Sequence, residues 1–178
     1  PLIRTAFAPH APYSVSDAPL ERVRIMTDEL QIPIHMHVHE THDEVLQSLH
    51  QYGQRPLERL ADLGLLSPAL IAVHMTQMLE EEIQDYARSG GHIVHAPESN
   101  LKLASGFARI QQKVDAGINV ALGTDGAASN NSLSMFGEMK TAALLAKSQA
   151  GSPLAGRDDA MLAAATVETV APATPAEV

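Results

Sequence analysis

Histidine is the residue in excess in this chain of 178 residues: nine stand against three Phe, three Tyr and no Trp. Three of the nine fall at alternate positions in the run IPIHMHVHE, residues 32–40, with a glutamate directly after the third. Side chains alternate between the two faces of a strand. An extended run here therefore predicts Ile32, Ile34, Met36 and Val38 on one face and His35, His37 and His39 on the other. The inner face of a sheet or barrel ordinarily holds Val, Ile or Leu, because a polar group there costs stability unless it is paired. Imidazoles crowded on such a face are either satisfied core residues or metal ligands and proton carriers, and the adjacent Glu40 favours the second reading.

Two further runs end in the same kind of residue. In LIAVHMT, residues 70–76, alternation predicts Ile71 and Val73 outward and Ala72 and His74 inward. In NVALGTDG, residues 119–126, it predicts Val120 and Leu122 outward and Ala121, Gly123 and Asp125 inward. Taken singly, a strand-terminal Asp beside glycine is turn chemistry and a lone His is a core residue. Taken with His37 and Glu40, they put an imidazole or carboxylate at the carboxyl ends of three strands, where parallel α/β folds build their sites. The chain has no cysteine. Thiolate nucleophiles, disulfides and zinc–thiolate sites are thereby excluded, and any metal must be held by His, Asp or Glu.

The elements that must position these groups are legible from periodicity. Five apolar runs, 3–8, 32–39, 70–75, 91–96 and 118–124, predict buried parallel strands, and helical patterns between them predict βα units. Asp17 and Pro19 open the first helix, with Leu20, Val23, Met26 and Leu30 as its apolar stripe. Thr41 and Glu44 form the T-x-x-E of a capping box. Gly53, Gly64, Gly90 and Gly117 stand where helices end in a left-handed residue. A helix over 133–147 places Phe136, Met139, Ala143 and Ala146 on one side. A last helical pattern from Asp158 is interrupted by Pro172 and Pro175. With no internal repeat and no linker, the pattern describes one α/β domain.

The composition narrows the partners. Twelve Lys and Arg against twenty-one Asp and Glu leave a net charge of -9, with 45% apolar residues. Such a chain can bury a core, and it lacks the clustered basic side chains that nucleic acid or an anionic membrane would require. No apolar run approaches the roughly 20 residues of a membrane span, and the first residues have no secretory pattern. The expectation is a cytoplasmic protein acting on a small molecule, with neither nucleic acid nor membrane as partner.

The strings FAPHAPYSVSD (7–17), HVHET (37–41), AVHM (72–75), HAPESNLKLASG (95–106) and ALGTDGAASNNSL (121–133) closely resemble the amidohydrolase superfamily, and within it the methylthioadenosine/S-adenosylhomocysteine deaminases of the chlorohydrolase-like branch. The resemblance covers residues 3–147. The H-x-x-E pair and the GTDGAASNN string are its specific parts. It implies a partial (β/α)8 TIM barrel of the metal-dependent hydrolase type, covering about the last five strands, with residues 1–178 as the C-terminal part of a single barrel domain whose first strands and β-sandwich are missing from this chain. A whole barrel takes about 250 residues.

By the same resemblance, His37 and Asp125 are ligands of one divalent ion, zinc foremost, with iron or manganese as alternatives. Glu40 donates a proton to the purine ring, His74 orients the attacking water or the substrate, and Asp125 shuttles the water's proton. Substrate contacts fall to His10, which meets the sugar, and to Glu40 and Asp125. His95 and Asn100 are either supporting or structural residues, and Arg4 and Lys102 either anion contacts or loop charges. The H-x-H metal motif of the family's first strand is not in this chain, and Ser134 stands where the family carries Asp. The implied reaction is metal-dependent hydrolytic deamination of 5-methylthioadenosine or S-adenosylhomocysteine to the inosine analogue and ammonia. Its alternatives are an s-triazine chlorohydrolase or aminohydrolase, a guanine-type deaminase and, from another class, an inactive metal-binding or structural fragment. An open barrel would also leave unpaired sheet edges, which points to a homo-oligomer.

Overall fold

Four parallel strands, β1 (Ile34–Val38), β2 (Leu70–His74), β3 (His92–His95) and β4 (Asn119–Leu122), lie side by side in chain order in the computed structural model, which describes residues 4–156. Parallel neighbours require a crossover between them. Here α2 (His42–Tyr52) and α3 (Pro56–Asp62) join β1 to β2, α4 (Glu80–Ser89) joins β2 to β3, and α5 (Pro97–Lys102) with α6 (Ile110–Asp115) joins β3 to β4. The helix α1 (Asp17–Leu30) precedes β1, and α7 (Met135–Ala150) follows β4. The α/β class with alternating parallel strands is the one the periodicity predicts.

The expected strand over 3–8 is reduced, among the described residues, to one parallel bridge between Phe7 and Ile34. Phe7 N–H donates to Pro33 O at 2.9 Å, and His35 N–H donates to Phe7 O at 2.8 Å. The pairing direction is as expected, but it is too short to count as a strand. Ile3 and the pattern from Asp158 through Pro172 and Pro175 lie outside the described residues.

Register decides the faces. Ile34 pairs with Leu70, Met36 with Ala72, Ala72 with Ile93, and Ile93 with Val120. This face is covered by helices and forms one core with Leu20, Leu57, Leu60, Ile83, Tyr86 and Ile110. His37 pairs with Val73 and His35 with Ile71, so those four share the opposite face with Val94 and Ala121. The sequence expectation for 70–74 is therefore inverted: Ile71 and Val73 lie on the histidine face, and Ala72 lies under the helices. Counting back from His74 misleads because His74 has left the extended conformation, at φ 74. For 119–122 the expectation holds, with Val120 and Leu122 in the helix-covered core.

Two helix stripes also differ. In α1 the buried residues are Leu20 and Thr27, with Val23 packed beside them, while Leu30 is 55% exposed. At about 100° per residue, Thr27 falls about 20° from Leu20 and Leu30 about 80° away. In α7 the buried set is Glu138, Ala142, Ala143 and Ala146, and Phe136 is 82% exposed, lying a turn before the packed part of that face. The helix starts and glycine stops are as read, but of the expected capping box only the Thr41 half forms. Thr41 Oγ1 accepts from Glu44 N–H, and Gly53 and Gly90 both close their helices at φ 72, a conformation that only glycine adopts without strain.

Candidate active site

The side chains singled out by the sequence meet at the C-terminal ends of the strands. On the histidine face of β1, His37 donates its Nδ1–H to His10 O at 2.7 Å. A ring nitrogen so engaged fixes the tautomer and leaves Nε2 with its lone pair, the usual arrangement for a metal-ligating imidazole. The His10 ring lies 5.1 Å from that of His37, and its Nδ1 pairs with Ser14 Oγ at 2.9 Å. The segment carrying His10 is held from below by the buried Arg59, which donates to Pro12 O at 2.6 Å and Val15 O at 3.0 Å, pairs with Asp17, and lies 3.9 Å over the Tyr52 ring. Ala8, Pro9, His10, His35, Met36, His37 and Val73 line a cleft of about 260 Å³.

At the ends of β1, β2 and β4 the chain takes left-handed turns at residues that are not glycine. His39 has φ 54, His74 φ 74, Met75 φ 50 and Asp125 φ 60. Such conformations cost of order 1–3 kcal/mol each and concentrate at functional sites. They reassign faces. His39, expected beside His35 and His37, turns under the sheet, is fully buried, and accepts the Leu57 N–H of α3 at 3.0 Å on Nε2. Burial pushes its pKa down to about 4, so it is a neutral structural cap. His74, by contrast, turns toward the site and stacks on His37, with ring centroids 5.4 Å apart.

The geometry of the candidate site centres on His74. Its Nδ1–H donates to Asn100 Oδ1 at 2.7 Å. Its Nε2 lies 3.8 Å from Glu40 Oε2 and 4.0 Å from Asp125 Oδ2. Burial lowers the His74 pKa, outweighing the opposite pull of Glu40, which favours the neutral ring with Nε2 facing the two carboxyl groups. Glu40 accepts from Ser105 Oγ at 3.1 Å. Asp125 Oδ2 accepts from Ser99 Oγ at 2.6 Å and Ser129 Oγ at 2.7 Å, while Oδ1 accepts its neighbour Gly126 N–H at 2.7 Å. Partial burial works against the Asp125 charge, but these donors outweigh it and hold the carboxyl below its ordinary range.

Five expected residues are thus brought together: His10, His37, Glu40, His74 and Asp125. Among the described residues no group of three or more His, Asp or Glu side chains lies close enough to hold a metal ion. The donor chemistry fits one all the same. His37 presents a free Nε2 and Asp125 a carboxylate kept ionised, two ligands of the type a divalent ion takes, where a catalytic zinc uses three or more. His35 stays on the open face, and His95 is buried on the helix-covered face, its pKa lowered by burial to about 3.

Several supporting residues act in ways that the sequence does not signal. Glu44, expected to reach back to the Thr41 N–H, passes it by and accepts from Glu40 N–H at 2.7 Å and His39 N–H at 3.0 Å, fixing the turn that presents Glu40. Ser99, Ser105 and Ser129 orient the two carboxylates, and only the motif strings around them hint at a role. Lys102 donates to Ala128 O at 2.8 Å and Asn131 Oδ1 at 2.7 Å, so it braces the loop after Asp125. Ser134, in the position where the resemblance carries Asp, caps α7 by accepting the Gly137 N–H at 3.2 Å, a task that Asp performs equally well.

Residues 1–178 match the model of the amidohydrolase family along their whole length. The chain belongs to that family. Among curated relatives it is 53% identical, over 94% of its length, to a 5-methylthioadenosine/S-adenosylhomocysteine deaminase of Teredinibacter turnerae. It is 42% identical over 93% of its length to a 5'-deoxyadenosine deaminase of Methanopyrus kandleri. It spans 38% of each of these proteins. Among solved structures, the zinc-bound adenosine deaminase from Xanthomonas campestris superposes with a TM-score of 0.92 at 57% identity, covering 93% of this chain and 38% of that one. A mutant atrazine chlorohydrolase from Arthrobacter aurescens, complexed with zinc and atraton, superposes with a TM-score of 0.82 at 27% identity, covering 90% and 36%. The four strands and their helices are thus part of an amidohydrolase barrel, and zinc is the metal of these amidohydrolase structures. Among the described residues no helix is long and apolar enough to cross a membrane.

Proposed function

We propose that the protein containing these residues is a zinc-dependent deaminase of adenosine-type nucleosides, with 5-methylthioadenosine and S-adenosylhomocysteine as substrates, and that residues 1–178 are the C-terminal part of its single barrel domain. The observation that carries the reading is the convergence of Glu40 and Asp125 on His74 Nε2, at 3.8 and 4.0 Å, beside a histidine whose free nitrogen is preset. The 53% identity to a deaminase of that substrate pair supports the substrate class.

A bound divalent ion lowers the pKa of its water from about 15.7 to about 7. His37 Nε2 and Asp125 would hold it, with further ligands from elsewhere in the full-length protein. The neutral His74 accepts a hydrogen bond from the attacking water on Nε2 and aims it at the amino-bearing ring carbon. Asp125 takes one proton from that water as the carbon–oxygen bond forms, and Glu40, entering the cycle as the carboxylic acid, gives its proton to the ring nitrogen beside the attacked carbon. Asp125 then returns its proton to the departing amino group, which leaves as ammonia. The hydroxyl proton passes to Glu40, and both carboxyl groups are restored. His10, at the rim, meets the sugar.

In the full-length protein, Glu40→Gln and Asp125→Asn are each expected to lower kcat by about 10²- to 10⁴-fold without loss of fold, since each removes one general acid or base step. Ammonia release from 5-methylthioadenosine is the measurement, and either variant within tenfold of the unsubstituted rate would overturn the assignment. A parallel panel of guanine and s-triazines distinguishes the neighbouring activities. Tight zinc binding without hydrolysis of any of them would point instead to a metal-binding module.

A further inference from the structure

Glu138, on α7, is fully buried, and its hydrogen bonds among the described residues go to Glu98 and Asn130 rather than to the reacting groups. Its partners in the structure are hydrogen-bond donors without charge. Its Oε2 accepts the backbone N–H of Glu98, in the first turn of α5, at 3.1 Å. Its Oε1 accepts the side-chain amide of Asn130, in the loop after β4. Asn130 Oδ1 in turn receives Ser132 N–H and Leu133 N–H, both at 2.9 Å, and so closes that loop. One carboxylate thereby ties α5 to the loop after β4. These are the two segments that supply the hydroxyls on Asp125 Oδ2, Ser99 from α5 and Ser129 from the loop. The residue after Ser99 is Asn100, which fixes the His74 tautomer.

We propose that Glu138 is a positioning residue of this site: by joining α5 to the loop after β4 it sets where Ser99 and Ser129 meet Asp125 and where Asn100 meets His74. The proposal rests on the reading of Asp125 and His74 as reacting groups. A neutral amide cannot replace the carboxylate, because both partners are donors and glutamine offers one acceptor and one donor. Glu138→Gln therefore leaves Asn130 Nδ2 facing an N–H. The reciprocal change Asn130→Asp restores every pairing, since the new carboxylate accepts from the introduced glutamine amide as well as from the N–H groups of Ser132 and Leu133.

The test uses the full-length zinc-loaded protein. Glu138→Gln is expected to lower kcat on 5-methylthioadenosine by about 10- to 100-fold with KM within about threefold, as removal of an outer hydrogen-bond partner does. The double variant Glu138→Gln/Asn130→Asp is expected to recover at least half of that loss on a logarithmic scale. A second readout is independent of turnover: in protein labelled with ¹⁵N-histidine, the His74 Nδ1–H resonance, identified by its absence in His74→Gln, should broaden in Glu138→Gln and return in the double variant. Unchanged kcat and an unchanged His74 signal in Glu138→Gln would overturn the proposal. So would a double variant that regains the melting temperature without regaining kcat, because that is the behaviour of a purely stabilising contact. If the unsubstituted protein deaminates nothing, the proposed reaction fails, and the imidazole signal alone decides the role of Glu138.

Discussion

His74 has one nitrogen free for chemistry because Asn100 occupies the other, at 2.7 Å. The Asn100 amide nitrogen has no partner of its own among the described atoms, so the side chain is held by its oxygen alone. Burying an amide with half its hydrogen bonding unmet is unfavourable, which indicates that the bond to His74 is worth that cost. Asn100→Ala in the full-length protein is therefore expected to cut kcat by about 10- to 100-fold with little change in KM. Asn100→Asp should act differently. A carboxylate beside the ring stabilises imidazolium and raises its pKa, so activity should begin to fall at a higher pH as the solution is acidified. A pH–rate profile of the two variants checks both statements, and an acid limb that does not move in Asn100→Asp would contradict the assigned contact.

At the scale of elements, α6 contains a lysine where its packing calls for an apolar residue. Lys113 is completely buried, and its Nζ has no hydrogen-bond partner among the described residues. Burial pushes its pKa down to about 7, with Arg109 adding to the effect. The unfolded lysine holds its proton up to pH 10.5 and the folded one only to about 7, so stability rises as the pH increases between those values. Lys113→Met keeps the length of the stem and removes the charge. It should raise unfolding stability by about 2–4 kcal/mol at pH 7, with the gain shrinking toward pH 10. Urea titrations of the full-length protein at the two pH values measure this, and a destabilised Met variant at pH 7 would show that the ammonium is paired.

For the molecule as a whole, acid is the condition that opens the fold. His39 and His95 are buried under the sheet with pKa values lowered to about 4 and about 3 from 6.5, in both cases chiefly by burial. Above 6.5 neither state binds their protons and the stability they permit is intact. As the pH falls below 6.5 the unfolded chain takes up protons that the folded chain refuses. Each histidine then costs about 1.4 kcal/mol of stability per pH unit until its folded pKa is reached. Between pH 6.5 and 5 the pair should remove about 4 kcal/mol in total. His39→Gln, which can keep an acceptor for Leu57 N–H, should flatten that slope by about half. An unchanged slope would mean that His39 is already charged in the folded protein.

How much of this was legible in advance follows from the range of each interaction. Alternation over 34–38 identified His35 and His37 on one face because β geometry is local, and the T-x-x-E spacing located the start of α2 for the same reason. The motif strings brought His10, His37, Glu40, His74 and Asp125 onto one short list. Periodicity could not say that His39 leaves that face or that Ile71 and Val73 line it, and it put His74 there only by continuing an alternation that breaks at His74, because left-handed turns at strand ends interrupt the pattern and the neighbouring strand sets the register. Glu44, Ser99, Ser129, Asn100 and Glu138 act across 4 to 40 residues of chain, through hydrogen bonds whose partners no spacing rule pairs. Residue types and local periods thus determined which groups were available for chemistry. The tertiary structure decided which nitrogen of each imidazole is free and which carboxylate stays charged, since both depend on burial and on hydrogen-bond donors brought in from distant segments.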